Sequence, residues 1–180
     1  MERLSFDTQG LRWSGAWVCA WLLAASLAAA SALSAAEEMA GTVARVLSGD
    51  TLIVSDGKGE LEIRLADIGA PQGSEYYTPA SRMLLSNMVS GKTVRVVLTG
   101  RDGSNRAFGR VFVGPLNVNL ALVQRAAAWM CIEYATNTDY LPYENDAIRF
   151  RRGLWLYTTQ FDARNRCRAH PPALRPVGEG

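Results

Sequence analysis

Between residues 41 and 113 the apolar residues recur largely at every second position, the spacing of strands that bury one face. Gly41–Ser48 carries Val43 and Val46 around a basic Arg45, and reads as a strand with a solvated edge. Ser48-Gly49-Asp50 is a turn that delivers an exposed Asp50, and Thr51–Val54 returns as a second strand. Asp56-Gly57 and Gly59 supply a hairpin turn. Glu60–Leu65 then alternates cleanly, with Leu61, Ile63 and Leu65 on one face and Glu62 and Arg64 on the other. Pro71 and Gly73 end this region. Lys92–Thr99 and Phe108–Val113 supply two further strands across a polar turn, Arg101–Asn105.

Helical spacing takes over elsewhere. Thr78-Pro79 predicts a helix start, with Met83, Leu84, Met88 and Val89 as its apolar face and Gly91 as its stop. Asn119 is placed to cap a second helix over Leu120–Met130. Pro142–Arg152 predicts a third, closed by Gly153 in the C′ position, with Trp155 just beyond as a core plug. Strands with a single apolar face need a partner layer, so a meander curling around its own core is expected. The fold class is mainly β with helices: a five-stranded barrel of the oligonucleotide-binding (OB) type with three helices.

Composition adds an export signal. Arg3 and Arg12 precede a run rich in Ala, Leu and Trp from Ala16 to about Ala32, and Ser34-Ala35-Ala36 offers small residues for cleavage. Residues 1–36 therefore read as a signal peptide and the destination as the periplasm or the exterior. A retained membrane anchor is the alternative, since the stretch is long enough to span a bilayer. Residues 37–157 hold the globular domain, and 158–180 read as a basic, proline-containing tail. Cys131 and Cys167 remain in the exported part, where a disulfide pinning the tail to the body or two free thiols are both open. A formal charge of +2 creates no strong field toward nucleic acid. All basic residues but Lys58 and Lys92 are arginine, which suits bidentate contact with carboxylate or phosphate.

Val46-Leu47-Ser48-Gly49-Asp50-Thr51-Leu52, Ile63-Arg64-Leu65, Ala70-Pro71, Phe108-Gly109-Arg110, Asn119–Val123 and Arg152-Gly153-Leu154-Trp155, in that order, resemble the staphylococcal nuclease-like (thermonuclease) family over residues 41–157. The resemblance implies a five-stranded barrel with three helices and, in active members, cleavage of phosphodiesters with Ca²⁺. By position it implies that Asp50 matches a calcium aspartate and that Arg64 and Arg110 match the arginines gripping the phosphate. Thr51 belongs to the signature turn.

The departures from the family pattern fall at the same place. Active members usually run Arg-Leu-x-Gly-Ile-Asp-(Ala/Thr)-Pro-Glu, whereas this chain has Arg64-Leu65-Ala66-Asp67-Ile68-Gly69-Ala70-Pro71-Gln72. Gly69 stands at the second calcium-ligand position and Gln72 at the position of the general base. Ca²⁺ wants ~6–8 oxygens with carboxylates supplying charge, and a glutamine can orient a water but cannot take its proton. Asp67 would share a face with position 69 in extended backbone, but roughly 6–7 Å away, so it reads as a surface or turn carboxylate. Arg64 and Arg110 could also pair structurally with Glu62, Asp67 or Glu75.

The expected function is that of an exported nuclease-like protein with a degenerate site and no cofactor, serving as an accessory to envelope or polysaccharide-synthesis components. The overall look is also similar to thermonuclease-like proteins associated with succinoglycan exopolysaccharide synthesis. A Ca²⁺-dependent phosphodiesterase with a variant site, acting on DNA or RNA, is the alternative. Pure nucleic-acid binding is weaker, because it wants aromatics interleaved with a basic groove and the strands show mainly Phe108 and Phe112, which read as core. Membrane contact is expected only if the leader is retained.

Overall fold

The computed structural model describes residues 37–102 and 106–169. The leader lies outside these residues, as does the proline-containing end of the tail. Among the described residues no helix is long and apolar enough to cross a membrane.

The strand pattern closes as expected. β1 (Glu38–Val46), β2 (Thr51–Ser55) and β3 (Glu60–Leu65) form an antiparallel meander. β4 (Ile68–Gly69) leaves it, while β5 (Thr93–Arg101) pairs with β1 and β6 (Ala107–Val113) pairs with β5. A parallel pairing of β3 with β6, Ile63 to Ala107 and Leu65 to Gly109, closes the five long strands into a barrel. Closure removes the open sheet edges. Val43, Leu52, Val54, Ile63, Val94, Val96 and Val111 fill the interior, each on the inward phase of its strand. A short β7 (Leu116–Asn117) turns back and pairs antiparallel with the end of β6.

The first helix, α1 (Thr78–Val89), begins at the predicted residue but without the predicted cap. Tyr77 takes the N-cap position, and the Thr78 hydroxyl is buried without a hydrogen-bond partner. The second helix, α2 (Val118–Gln124), is shorter than its apolar run suggests. Asn117 rather than Asn119 caps it, accepting from Leu120 N at 3.1 Å. Asn119 is instead buried, accepting from Val111 N and donating to the carbonyls of Ala66 and Gly109. It ties the helix to β6 and to the chain leaving β3.

Helix α2 stops because Ala126 turns left-handed (φ 52°), with Ala126 N bonded to Val123 O and Ala127 N to Leu122 O. This is a Schellman closure with alanine in the usual glycine place. The freed chain extends as β8 (Trp129–Met130), which pairs antiparallel with β4. Residues 125–130 were expected to be helical; apolar composition alone does not separate a buried helix from a buried strand, and pairing with Ile68 and Gly69 decides for the strand.

Helix α3 (Leu141–Arg149) ends in a second Schellman closure, Arg151 N to Ile148 O and Arg152 N to Ala147 O. Its left-handed residue is Arg151, not Gly153. Gly153 (φ 54°) opens the following 3-10 turn, Gly153–Leu156, where a Cβ would collide with Ala126. Trp155 is buried beside Trp129 and Cys131, the plug role expected of it. Beyond it the segment read as tail forms a fourth helix, α4 (Gln160–Ala169). Ala163 and Cys167 of that helix are buried in the neighbouring cluster, and a Cys131–Cys167 disulfide fixes it there.

Candidate active site

The turn between β1 and β2 places Asp50 not at the surface, as the sequence suggests, but wholly buried. Its backbone carbonyl accepts from Leu65 N at 2.8 Å, which draws the turn over the end of β3. Ser48 Oγ donates to Asp50 Oδ1 at 2.6 Å and Thr51 Oγ1 to the same oxygen at 3.1 Å. Asp50 Oδ2 has no hydrogen-bond partner and lies 3.6 Å from Arg64 Nε. Arg64 sits directly across from Thr51 in the β2–β3 register, which is why the two meet. Thr51, read only as part of a signature turn, thus contributes its hydroxyl to holding the aspartate.

Asp67 follows β3 with φ 68°, a conformation that a residue with a short polar side chain tolerates better than most. The turn breaks the extended alternation, so positions 67 and 69 no longer share a face. Asp67 is 5% exposed rather than a surface carboxylate. Arg110, on β6, donates from Nε and approaches from Nη2 to Asp67 Oδ2, both at 3.0 Å. Asp67 Oδ1 accepts from Thr136 N at 2.7 Å and Thr136 Oγ1 at 3.1 Å, and Arg110 Nη2 also donates to Thr136 Oγ1. Of the structural partners open to Arg110 in the sequence, Asp67 is the one it takes. Nothing local marks Thr136, which lies 69 positions from Asp67.

Gly69 pairs with Trp129 across the β4–β8 ladder. A Cβ there would stand 2.7 Å from Trp129 Nε1, 3.2 Å from its Cε2 and 3.3 Å from Cys131 Sγ. The indole occupies the approach that a side chain at position 69 would need. Trp129 is 2% exposed, and its Nε1–H has no hydrogen-bond partner. Gln72 is exposed on the following loop, where its backbone N–H donates to Glu75 Oε2 at 3.3 Å.

Arg64, Gly69, Gln72, Glu75, Trp129 and Arg166 line one cavity of about 380 Å³, with the Cys131–Cys167 disulfide in its wall. Arg110 is not among its lining residues. Arg166 comes from α4, forms an ion pair with Glu75, and lies 5.4 Å over the Trp129 ring. Neither Arg166 nor Trp129 was legible as a site residue: one falls in an apparent tail, the other inside an apparent helix. Behind Arg64, burial raises the pKa of the Tyr134 hydroxyl, with the Arg64 charge pulling the other way.

The donor set does not fit a calcium ion. Asp50 Oδ1 is engaged by two hydroxyls, its Oδ2 faces Arg64, Gly69 has no side chain and Gln72 is neutral. Among the described residues no three His, Cys, Asp or Glu side chains gather as a metal cluster. A hard cation needing several anionic oxygens finds too few here.

The closed barrel with an aspartate and an arginine on its β2–β3 edge defines an OB-type domain of the nuclease kind. Residues 62–157 match the staphylococcal nuclease homologue family, and the chain belongs to it. It is 37% identical over 119 residues to an "Uncharacterized endonuclease" of Escherichia coli O157:H7, an overlap covering 66% of this chain and 78% of the relative. It is 32% identical over 130 residues to a "Micrococcal nuclease" of Shigella flexneri, covering 66% of this chain and 74% of that protein.

Proposed function

We propose that this is an exported nuclease-fold protein whose barrel edge does not carry out calcium-dependent phosphodiester hydrolysis and has become an anion-binding site. Its role is then that of an accessory among envelope or exopolysaccharide-synthesis (succinoglycan) components. The observation that carries the reading is the contact of Trp129 with Gly69: a buried indole stands where the second metal carboxylate would have to enter. The neutral Gln72 points the same way, since it offers no base to a water. The leader at residues 1–36 supports export.

A second reading is a calcium-dependent DNA or RNA phosphodiesterase with a variant site. The names borne by the relatives and the preserved Asp50–Arg64 pair favour it. One assay separates the two. The full chain is incubated with single-stranded DNA and with RNA, with Ca²⁺ or with a chelator. No calcium-stimulated cleavage is expected; robust cleavage that disappears in Arg64→Ala would establish the second reading instead. Fractionation of the native cell checks export, the protein being expected in the periplasm or medium and not in the cytoplasm.

A further inference from the structure

We propose that Arg166 is the second anion-binding arginine of the cavity of about 380 Å³, acting with Arg64 on a compact ligand bearing a phosphate or carboxylate group. The inference rests on reading this edge as an anion site.

Its first support is the division of labour among the three arginines. Arg110 is held by Asp67 and Thr136 and is not among the residues lining the cavity. Arg64 and Arg166 both line it, from opposite elements: one from the barrel, the other from the helix fastened across it. Arginine's planar fork suits an oxyanion, and two of them lining one space donate to its oxygens in pairs.

The second support is how Arg166 is positioned. Its neighbour Cys167 is covalently fixed to Cys131, one residue from Met130 in β8. The guanidinium lies over the Trp129 ring and pairs with Glu75. Covalent anchor, ring and ion pair fix an exposed helix's arginine over a cavity. The Trp129 ring that carries the guanidinium lines the same wall, so the arginine and its platform border one space.

Charge and size narrow the ligand. Glu75 inside the cavity and Asp50 behind Arg64 offset the two arginines, so the site suits one or two negative charges rather than a polyanionic backbone. The volume matches a monosaccharide- or mononucleotide-sized molecule. An entering oxyanion competes with Glu75 for Arg166, which makes Glu75 a brake on binding.

Isothermal titration of the oxidised full chain tests this, with inorganic phosphate, a nucleoside 5′-monophosphate and a hexuronate as probes. The parent is expected to bind at least one of the three; preference for the nucleotide or the uronate identifies the source of the oxyanion. Arg166→Gln should weaken binding about tenfold or more, and reduction of the disulfide should weaken it similarly. Glu75→Gln breaks the same ion pair but should tighten binding by about threefold or more, which a merely structural role for the pair would not produce. Arg110→Gln should change affinity by no more than about threefold. Circular dichroism confirms that each variant is folded, and Arg166→Lys serves where the glutamine form is not. No binding by the parent, unchanged affinity in Arg166→Gln, weakened binding in Glu75→Gln, or an equal loss in Arg110→Gln overturns the proposal. Calcium-stimulated cleavage lost in Arg64→Ala would overturn the underlying reading separately.

Discussion

Adding a single methyl group at position 69 tests the packing on which the proposed function rests. Gly69→Ala introduces only the Cβ, 2.7 Å from Trp129 Nε1 and 3.2 Å from Cε2. Real Cβ contacts do not fall so close, so either the indole or β4 must move. The indole is poorly placed to do so, being 2% exposed in a cluster with Trp155, Leu154 and the disulfide. Overpacking of this kind costs about 1–3 kcal/mol. For a domain of this size that corresponds to a fall in Tm of roughly 3–10 °C.

The assay is thermal unfolding followed by circular dichroism, with the disulfide kept oxidised. A double-mutant cycle with Trp129→Leu separates the contact from other effects. Trp129→Leu alone is costly because it empties a buried site, but Gly69→Ala should be milder in that background by about 1 kcal/mol or more. A Tm within about 1 °C of the parent for Gly69→Ala, or strict additivity in the cycle, would refute the reasoning.

Two further predictions concern buried charges. Arg110→Gln leaves Asp67 with only its Thr136 bonds and should lower stability by about 3 kcal/mol in chemical denaturation, with Asp67→Asn in the same chain recovering part of it; a loss under ~1 kcal/mol would contradict the pairing. Burial raises the Glu144 carboxyl above its usual range, against the opposing bond from Met130 N. A raised native pKa means that the folded state holds the proton more tightly, so this contribution is greatest at low pH and is lost as pH rises through the native value. Glu144→Gln should therefore show a flatter stability profile between about pH 4 and 7 than the parent, and coincident profiles would exclude the effect.

Much of the barrel was legible because most of its strand residues keep a period of two, though β2 is buried from Thr51 to Val54. Glu60–Leu65 has one apolar face, and the structure uses it as such, Ile63 and Leu65 lying fully inside. What escaped was decided by distant partners. The run Ala126–Met130 is apolar throughout, so only the ladder with Ile68 and Gly69 makes its end a strand. Helix α4 buries a narrow face, Ala163 and Cys167, and its other attachments, the disulfide and the Arg166–Glu75 pair, join residues far apart in the sequence. Asp50 was expected at the surface because turns usually carry exposed aspartates; hydroxyls from Ser48 and Thr51 and the Arg64 charge let this one be buried. Arg64 and Arg110 stood out as candidate anion-binding residues, yet the sequence alone could not show that one faces a cavity and the other a carboxylate.

Asp67 and Gly69 look like a simple exchange, but their settings make them separate changes. A left-handed residue at 67 costs a non-glycine side chain about 1–2 kcal/mol. Asp67 offsets that with charge-assisted bonds from Arg110 and hydrogen bonds from Thr136, so the residue that takes glycine's place also engages the arginine. Gly69, in turn, leaves room that Trp129 fills. It follows that Gly69→Asp with Gln72→Glu should not create calcium-dependent cleavage in an otherwise unchanged chain. The new carboxylate still meets the indole, and Arg110 is still bound to Asp67. Adding Trp129→Leu to open the approach and Asp67→Gly to release Arg110 removes both obstructions while keeping the left-handed turn in a residue that tolerates it. Cleavage by the simple pair of restorations would show that position 69 is less constrained than its contacts indicate. Cleavage only in the fourfold variant would show that the site is blocked by its neighbours as well as by its missing acids.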